Sequence, residues 1–344
     1  MTLTAVVILN WNGQHFLETF LENILENSTY PNTKVVVADN GSTDHSVEYV
    51  RHNYPQVELV LLDKNYGYAG GYVKALEQIE AKYYVLLNSD VEVSPNWLTP
   101  LIDKMESNTK MGACMPKIMA YNSKENFEYA GASGGYIDRF GFPFCRGRIL
   151  DNIEGDAGQY NTEKEIFWAS GAAMVVRAEA YYKAGGLDPD FFAHMEEIDL
   201  CWRIKQLDYK IFVCPNSTVY HVGGGTLPNN SPRKLYLNYR NSLYLLLKNL
   251  PGISLIPVLL ARICLDTASE IVFLSKGERK FAHAVFKAHL HFLKVLPSLI
   301  NKRYSFKRIA ITRHVNTIYN NSIVLDYMVF KRSKFSELRG RFSK

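Results

Sequence analysis

Along the first hundred or so residues, unbroken apolar runs alternate with stretches in which apolar positions recur every three or four residues. Leu3–Asn10 is a continuous aliphatic and β-branched run. That pattern suits a strand covered on both faces, as in a parallel sheet. In Gln14–Glu26 the apolar positions are Phe16, Leu17, Phe20, Leu21, Ile24 and Leu25, which is helical spacing. The alternation continues. Strands are predicted at Lys34–Asp39, Val57–Leu62 and Tyr83–Asn88, and helices near Thr43–Asn53, Gly71–Glu80 and Asn96–Asn108, with Ser42 as N-cap of the second helix. Strands separated by helices of this length imply right-handed crossovers. The expected fold class is therefore α/β, with a Rossmann-like, doubly wound, mostly parallel sheet whose ligands sit at the carboxyl ends of the strands.

From about Gly112 to Gly225 the pattern is less regular. Phe127–Phe144, rich in glycine and aromatic residues, predicts irregular strands or loops, and Phe167–Arg177 ends in an aliphatic strand. A helix opens at the acids after Phe191 and Phe192 and ends near Leu207. Short strands are predicted at Tyr209–Val213 and Ser217–His221, and a flexible loop from Gly223 to Gly225. The remainder is helical: Lys234–Asn249, a break at Pro251, the very apolar Ile253–Leu274, and the basic, amphipathic Phe281–Ile300. Arg262, Asp266 and Glu270 are four apart and form one ion-paired stripe, which argues for an amphipathic helix on protein or membrane and against a span.

Composition adds two constraints. The chain has 344 residues, 47% hydrophobic and 21% charged, so it builds a sizeable core and is not globally disordered. The net charge of +5 is too small to argue for nucleic acid. Its distribution says more: Lys276–Lys344 carries 16 Lys/Arg against 3 Asp/Glu, net +13, which leaves −8 for the first 275 residues. The basic tail has no aromatic platform or recognition motif, so no nucleic-acid partner is expected. Five widely spaced cysteines, 114, 145, 201, 214 and 264, exclude a disulfide scaffold and a zinc ribbon and fit a reducing compartment. The N-terminal apolar run ends at Asn10 without a basic leader, and no uncharged run reaches the ~18–20 residues of a membrane span. The expected location is the cytoplasm, with a membrane surface as one option for the tail.

The candidate chemistry gathers at the ends of the predicted strands. They finish in Asn10-Trp11-Asn12-Gly13, Asp39-Asn40-Gly41-Ser42, Asp63-Lys64-Asn65-Tyr66-Gly67 and Asn88-Ser89-Asp90. Each alone is an ordinary turn; four on one edge favour a nucleotide-binding crevice. Gly67-Tyr68-Ala69-Gly70-Gly71 lacks the dinucleotide spacing, although a helix start there has free N–H groups for a phosphate. Asp90, with Glu92 two residues on, sits where a carboxylate can hold Mg²⁺ or Mn²⁺ against diphosphate oxygens, or can simply cap a turn. Glu196, Glu197 and Asp199 crowd the first turn of a helix between the aromatics Phe191, Phe192 and Trp202. Crowding and apolar walls raise carboxyl pKa values and make a general base for an alcohol. Helix-dipole complementarity explains one or two of these acids equally well, and Asp199 has an alternative partner in Arg203. His221, before a glycine loop, is a metal ligand or a structural histidine.

Together these segments resemble the family 2 glycosyltransferases of GT-A (nucleotide-diphospho-sugar transferase) fold, most closely the bacterial rhamnosyltransferase-like branch. The resemblance runs from Leu3 to about Asn249. It rests on Val6-Val7-Ile8-Leu9-Asn10-Trp11-Asn12-Gly13, Val35-Val36-Val37-Ala38-Asp39-Asn40-Gly41-Ser42-Thr43-Asp44, Asn65–Gly71, Leu86-Leu87-Asn88-Ser89-Asp90-Val91-Glu92, Ser170-Gly171-Ala172-Ala173, Glu196–Arg203 and His221-Val222-Gly223-Gly224-Gly225-Thr226. The resemblance implies transfer of a sugar from a nucleoside diphosphate donor, dTDP- or UDP-linked, to a hydroxyl of a glycan or lipid-linked acceptor, with inversion, in cell-envelope polysaccharide synthesis. It implies that Leu9, Asn10, Asp39, Asn40, Asn65, Gly67, Gly71, Asn88 and Ser89 line the donor pocket, and that Asp90 and His221 hold the divalent metal, with Asn88 replacing the first acid of the family's Asp-x-Asp. Glu197 matches the catalytic base, with Glu196 the competing choice and Asp199 in the same motif. Trp168, Ser170 and Gly171 fall where the sugar or acceptor is met. The implied organisation is a catalytic domain over 1–232, split into a nucleotide-binding half (1–111) and an acceptor-binding half (112–232), then a basic amphipathic helical extension over 233–344. That extension would lie against an anionic membrane, on the inner face of the plasma membrane, or form an oligomer interface. A retaining sugar transferase, a nucleotidyltransferase and a non-catalytic nucleotide-sugar sensor are the alternatives.

Overall fold

The structure, a computed structural model, describes residues 2–223 and 231–344. The loop expected from Gly223 onward lies, from Gly224 to Asn230, outside the described residues. The strands are β1 (Thr4–Asn10), β2 (Thr33–Asp39), β3 (Glu58–Leu61), β4 (Tyr83–Asn88), β5 (Val91–Val93), β6 (Met111–Ala120), β7 (Ser123–Phe127), β8 (Gly135–Asp138), β9 (Pro143–Cys145), β10 (Arg148–Ile149), β11 (Asn152–Ile153), β12 (Lys164–Glu165), β13 (Ala173–Arg177), β14 (Lys210–His221) and β15 (Ile318–Tyr319). The helices are α1 (Gln14–Asn27), α2 (Ser46–Asn53), α3 (Gly67–Leu76), α4 (Leu98–Ser107), α5 (Ala178–Lys183), α6 (Glu196–Gln206), α7 (Pro232–Asn249), α8 (Gly252–Ser275), α9 (Arg279–Lys307) and α10 (Ile323–Met328).

The predicted alternation is present. β1 pairs in parallel with β2 on one side and β4 on the other, and β2 with β3, so the chain winds outward and then returns across β1. That reversal opens a crevice at the carboxyl ends of β1 and β4, the place where such sheets take ligands. Register sets Asn10 beside Asp39 and Leu9 beside Asn88. The sheet continues through β13, β6, β14 and β12. Val6, Val7, Ile8, Val36, Val37 and Val85–Leu87 are wholly buried, as a parallel sheet clad on both faces demands.

Three expectations change. The irregular region contains the long strand β6, hidden in the sequence because Gly112 and Pro116 interrupt it. Pro116 has no N–H to give, and it stands opposite Cys214 where the β14 ladder slips. The two short strands at 209–221 are one strand, β14, whose bulge at Pro215–Ser217 mimics a break. The long helices of the tail end at Lys307, and only the short α10 follows. Beyond Lys307 the chain returns to the body: Ile311 and Thr312 donate to the Gln206 carbonyl, and β15 adds to a second, five-stranded sheet by pairing with β8. The rings of Phe335 and Phe342 pack on Tyr136 in that sheet, and burial of these rings is what draws the segment back. Of the predicted stripe on α8, Arg262 and Asp266 form a buried ion pair at 2.7 Å, while Glu270 joins no ion pair among the described residues.

Candidate functional site

The ends of β1, β2 and β3 build one polar crevice. Asn10 Nδ2 donates to Asp39 Oδ1 at 3.1 Å and to Ser42 Oγ at 3.3 Å, and the Ser42 N–H donates to Asp39 Oδ2 at 2.9 Å. Both carboxylate oxygens of Asp39 are therefore fixed. Ser42 does this instead of capping α2, which starts later, at Ser46. Asn40 organises the neighbouring loop. Its Oδ1 accepts from the Tyr66 N–H at 3.0 Å, and its Nδ2 donates to Asn65 Oδ1 and to the Gly67 carbonyl at 3.2 and 3.0 Å. Asn65 Oδ1 also accepts from the Gly67 N–H at 2.7 Å. The helix α3 consequently begins at Gly67, one turn before the predicted Gly71. A Cβ on Gly71 would lie 2.9 Å from both Asn40 Nδ2 and a Leu9 methyl, so only glycine lets α3 approach β1 and β2. Ser89 Oγ lies on the same side, near Asn10 across Gly13.

A second cluster forms where β5 pairs antiparallel with β14. The register places His221 opposite Val91, next to Asp90. His221 Nε2 lies 3.1 Å from Asp90 Oδ1 and 3.2 Å from the Asn88 amide nitrogen, and its Nδ1 faces Glu128 Oε1 at 3.5 Å. All but Asn88 are buried. Burial alone lowers the imidazole pKa, but the carboxylates of Asp90 and Glu128 outweigh it and raise the value to about 10. Burial pushes Asp90 up, and the bond and charge of His221 overcome that and hold it below its ordinary range. Glu128, between two short strands in the irregular region, gave no sign of itself in the sequence. Among the described residues no three acidic, histidine or cysteine side chains converge as a ready metal cluster. Once a cation displaces the proton between His221 and Asp90, the chain supplies a carboxylate and an imidazole nitrogen, with a second carboxylate behind the other ring nitrogen. That arrangement suits a divalent cation whose remaining ligands are phosphate oxygens and water.

The third element is the start of α6. Glu196 is buried and Glu197 half-buried, and the Oε2 atom of each is buried with no hydrogen-bond partner among the described residues. Burial, and secondly the charge of Glu197, drives the Glu196 carboxyl far above its usual range. Burial raises Glu197 to about 7, held back by N–H groups at the helix start. Asp199 takes the alternative partner foreseen for it. Its Oδ2 accepts from Arg203 Nη2 at 2.7 Å and from Lys248 Nζ at 2.8 Å, and its Oδ1 from Asn249 Nδ2 at 2.7 Å. With every oxygen engaged and no exposure, Asp199 ties α6 to α7 and is not open to a substrate.

The loop before this pair is strained. Phe192, His194 and Met195 have φ of 65°, 69° and 72°, a region that non-glycine residues rarely occupy. α7 holds it there. Asn241 Nδ2 donates to the carbonyls of Phe191, Ala193 and His194 at 2.9, 2.9 and 2.7 Å, and Arg240 Nη2 to those of Asp190 and Phe191 at 2.9 and 2.8 Å. The adjacent Arg240 and Asn241, set among Leu237, Leu243 and Tyr244 in one helix, are the signal in the sequence that could have pointed here.

Three contacts join these clusters. The Phe192 carbonyl accepts from the Ala69 N–H at 3.1 Å, and the Phe192 ring packs on Gly67 of the polar crevice. Tyr68, inside the Asn65–Gly71 motif, donates to the Gly171 carbonyl at 2.6 Å and feels the charges of Glu196 and Glu197. Lys234 lies within electrostatic reach of both Glu128 and His194. Of the residues expected to meet the substrate, Gly171 touches Tyr68 and belongs with the site. Ser170 donates to the Ala130 carbonyl, fixing the turn. Trp168 is 3% exposed, with its ring on Gly135 and its indole N–H given to the Tyr136 carbonyl at 3.0 Å. It is a core residue between the two sheets, because an indole with its one donor satisfied internally is best buried.

A sequence profile described as glycosyl transferase family 2 matches residues 5–183, more than half the chain. The N-acetylglucosaminyl-diphospho-decaprenol L-rhamnosyltransferase of Mycobacterium tuberculosis is 26% identical over 237 residues, covering 64% of this chain and 75% of that protein. The N-acetylgalactosaminyltransferase 4 of Drosophila melanogaster is 26% identical over 252 residues, covering 66% of this chain but 37% of that longer protein. Among solved structures, GalNAc-T7 with UDP, GalNAc and Mn²⁺ superposes with a TM-score of 0.57 at 16% identity, over 73% of this chain and 49% of that one. The mannosyltransferase PcManGT from Pyrobaculum calidifontis, in complex with GDP-Man and Mn²⁺, gives 0.50 at 16% identity, over 89% and 85%. At these identities the structural matches establish the GT-A fold. With the profile covering the donor crevice, Asp90 and the turn at Gly171, the chain belongs to glycosyl transferase family 2 and is a glycosyltransferase.

Proposed function

We propose that the enzyme is an inverting glycosyltransferase that moves a sugar from a dTDP- or UDP-linked donor to a hydroxyl of a glycan or lipid-linked acceptor in cell-envelope polysaccharide synthesis, working at the cytoplasmic face of the plasma membrane. The observation that carries the reading is the acid pair Glu196–Glu197 at the start of α6, behind a strained loop that touches the polar crevice through Phe192 and Gly67. The match to a lipid-diphosphate rhamnosyltransferase supports the acceptor class.

In this reading Asp39, fixed by Asn10 and Ser42, takes the nucleoside, and Asn40 shapes the loop at Asn65–Gly67 around it. Asp90 and His221 would hold Mg²⁺ or Mn²⁺. Such a cation, when bound, neutralises charge on a departing diphosphate. Glu128 orients the His221 ring from behind. Glu196 stays protonated because its ionisation is doubly disfavoured. The charge of the pair then belongs to Glu197, whose affinity for protons suits a base working near neutrality. Glu197 takes the proton from the acceptor hydroxyl, the oxygen bonds to the anomeric carbon on the face away from the diphosphate, and the C–O bond to the diphosphate breaks. A nucleotide-sugar sensor would have no use for an ionisable carboxyl poised beside the crevice.

The test is the anomeric configuration of the product by proton NMR, after a donor screen by thermal shift with and without Mn²⁺. A configuration opposite to that of the donor supports the proposal; retention overturns it.

A further inference from the structure

α8 and α9 form an antiparallel hairpin joined by the three residues Lys276–Glu278, as the stacked Phe273–Phe281 rings and the approach of His289 to Asp266 at 3.5 Å show. Each helix buries one stripe and turns another to solvent. On α8 the inward stripe is Val258, Leu259, Arg262 and Asp266. The outward one is Ile253, Ile256, Leu260, Ile271 and Leu274, with Ile253 89% exposed. On α9, Val285, Ala288, Phe292 and Leu299 face inward, and Phe286, Leu290 and Leu293 outward. Outward positions recur at four and three residues on α9, and on α8 they form two apolar patches on either side of Cys264, Thr267 and Ala268, so these are apolar faces and not scattered exceptions. Cations edge them: Lys276, Arg279 and Lys280 at the hairpin turn, and Lys287 and Lys294 one heptad apart on α9, all exposed. The only exposed acid in the hairpin is Glu278. No helix among the described residues is long and apolar enough to cross a membrane.

We propose that this hairpin lies flat in the interface of an anionic bilayer, its outward apolar stripes among the acyl chains and its lysines at the headgroups. A second copy of the chain fits the surface poorly, because it would set one cation-edged face against another. An anionic lipid surface satisfies both features at once: it takes up apolar side chains, and it attracts basic residues. Long lysine stems allow the ammonium groups of Lys287 and Lys294 to stay in water beside a buried stripe. The hairpin is also coupled to the catalytic loop. Phe292 of α9 packs on Tyr244 of α7, which packs on Phe191, and Lys302 of α9 pairs with Asp188 and Asp190 at 2.6 Å each. A bilayer beneath the hairpin thus lies one helix layer from the loop that leads into Glu197, the position that a lipid-linked acceptor requires. The docking deepens the membrane location proposed above, but its evidence is separate from that for sugar transfer.

Flotation of the full chain with vesicles tests it, using phosphatidylcholine alone and an equal mixture of phosphatidylcholine and phosphatidylglycerol. The wild type is expected to float with the mixed vesicles and not with the neutral ones, and to be released as salt shortens the screening length from about 30 Å to about 8 Å. Lys287→Gln with Lys294→Gln should weaken binding roughly thirtyfold, the effect of two basic residues near an anionic surface. Ile256→Asp with Leu290→Asp should abolish it without changing the thermal melt, since both side chains are exposed. Failure of the wild type to float at low salt, or undiminished flotation of the aspartate variant, overturns the proposal. So does light scattering that shows a lipid-free dimer dispersed by Ile256→Asp with Leu290→Asp. Calorimetry of nucleotide-sugar binding is read separately: a wild type that floats but binds no donor defeats the transfer reading and leaves the docking surface standing.

Discussion

The ring of Phe192 occupies the space that a side chain on Gly67 would need: a Cβ there would stand 2.5 Å from Phe192 Cδ2. Gly67 also has a φ of 72°, so two constraints exclude other residues. One glycine thus lets the donor crevice and the acid loop touch. Gly67→Ala is expected to cost about 1–2 kcal/mol from the backbone alone, and to push the acid loop away from the crevice. A displacement of that kind lowers transfer on the order of a hundredfold. Steady-state kinetics beside a thermal melt check this; full turnover in a folded variant would mean that the contact does not matter to the reaction.

Asn241 carries a similar burden from the other side of the loop. Asn241→Ala leaves the carbonyls of Phe191, Ala193 and His194 without their donor, at a cost of about 1–3 kcal/mol. The loop can then relax from its left-handed conformation. The expected signature is a fall in kcat while the donor dissociation constant, which the proposed function assigns to Asp39 and Asn40, stays the same. Loss of donor binding in a folded Asn241→Ala protein would contradict this division of labour.

Asp199 gives the converse prediction. Its carboxylate neutralises the buried Arg203 and shares Lys248 with Asp188, so Asp199→Ala strands Arg203 and should cost about 3–5 kcal/mol. Asp199→Asn, less damaging in shape, should lower the melting temperature yet preserve kcat for the folded fraction. A collapse of kcat in a stable Asp199→Asn protein would return this residue to the chemistry.

Acidity offers a fourth test. Glu197, raised to about 7 by burial, works as a base only when ionised, so kcat/KM should rise about tenfold per pH unit below 7 and level off above. The stability effect has the opposite sense. The folded state holds this proton up to about pH 7 while the unfolded chain releases it near 4.5, so folding binds protons and stability falls as pH rises through that window. Glu197→Gln has no such proton. It should melt higher than the wild type at about pH 8, with an advantage that shrinks toward about pH 5. Parallel melts that keep a constant separation would show that this carboxyl is not perturbed by burial.

How far the sequence carries follows from the range of the forces involved. β1, β2, β4 and the first helices were legible because each is a local pattern repeated over six or more residues. The polar crevice was legible because Asn10, Asp39 and Asn65 sit at or just beyond strand ends, where topology brings them together. β6 was not, since its burial comes from strands about sixty and about one hundred residues away and its Pro116 is tolerated only by a matching bulge. Glu128 and Trp168 show the same limit in opposite directions. Nothing near Glu128 marks it, yet register delivers it to His221; Trp168 sits in a telling motif, yet the bare backbone of Gly135 draws its indole into the core. Asp199 had two readings from spacing alone, and only Lys248 and Asn249, fifty residues on, decide between them.

The most direct test of the account is a comparison of donor binding and turnover in Glu197→Gln. Calorimetry with the nucleotide sugar and Mn²⁺ should give the wild-type affinity, because Asp39, Asp90 and His221 are untouched, while transfer to the acceptor should fall by about 10²–10⁴-fold, the contribution of a positioned base. Transfer at the wild-type rate by a variant that binds donor normally would contradict the assignment of Glu197 and, with it, the mechanism built on the acid pair.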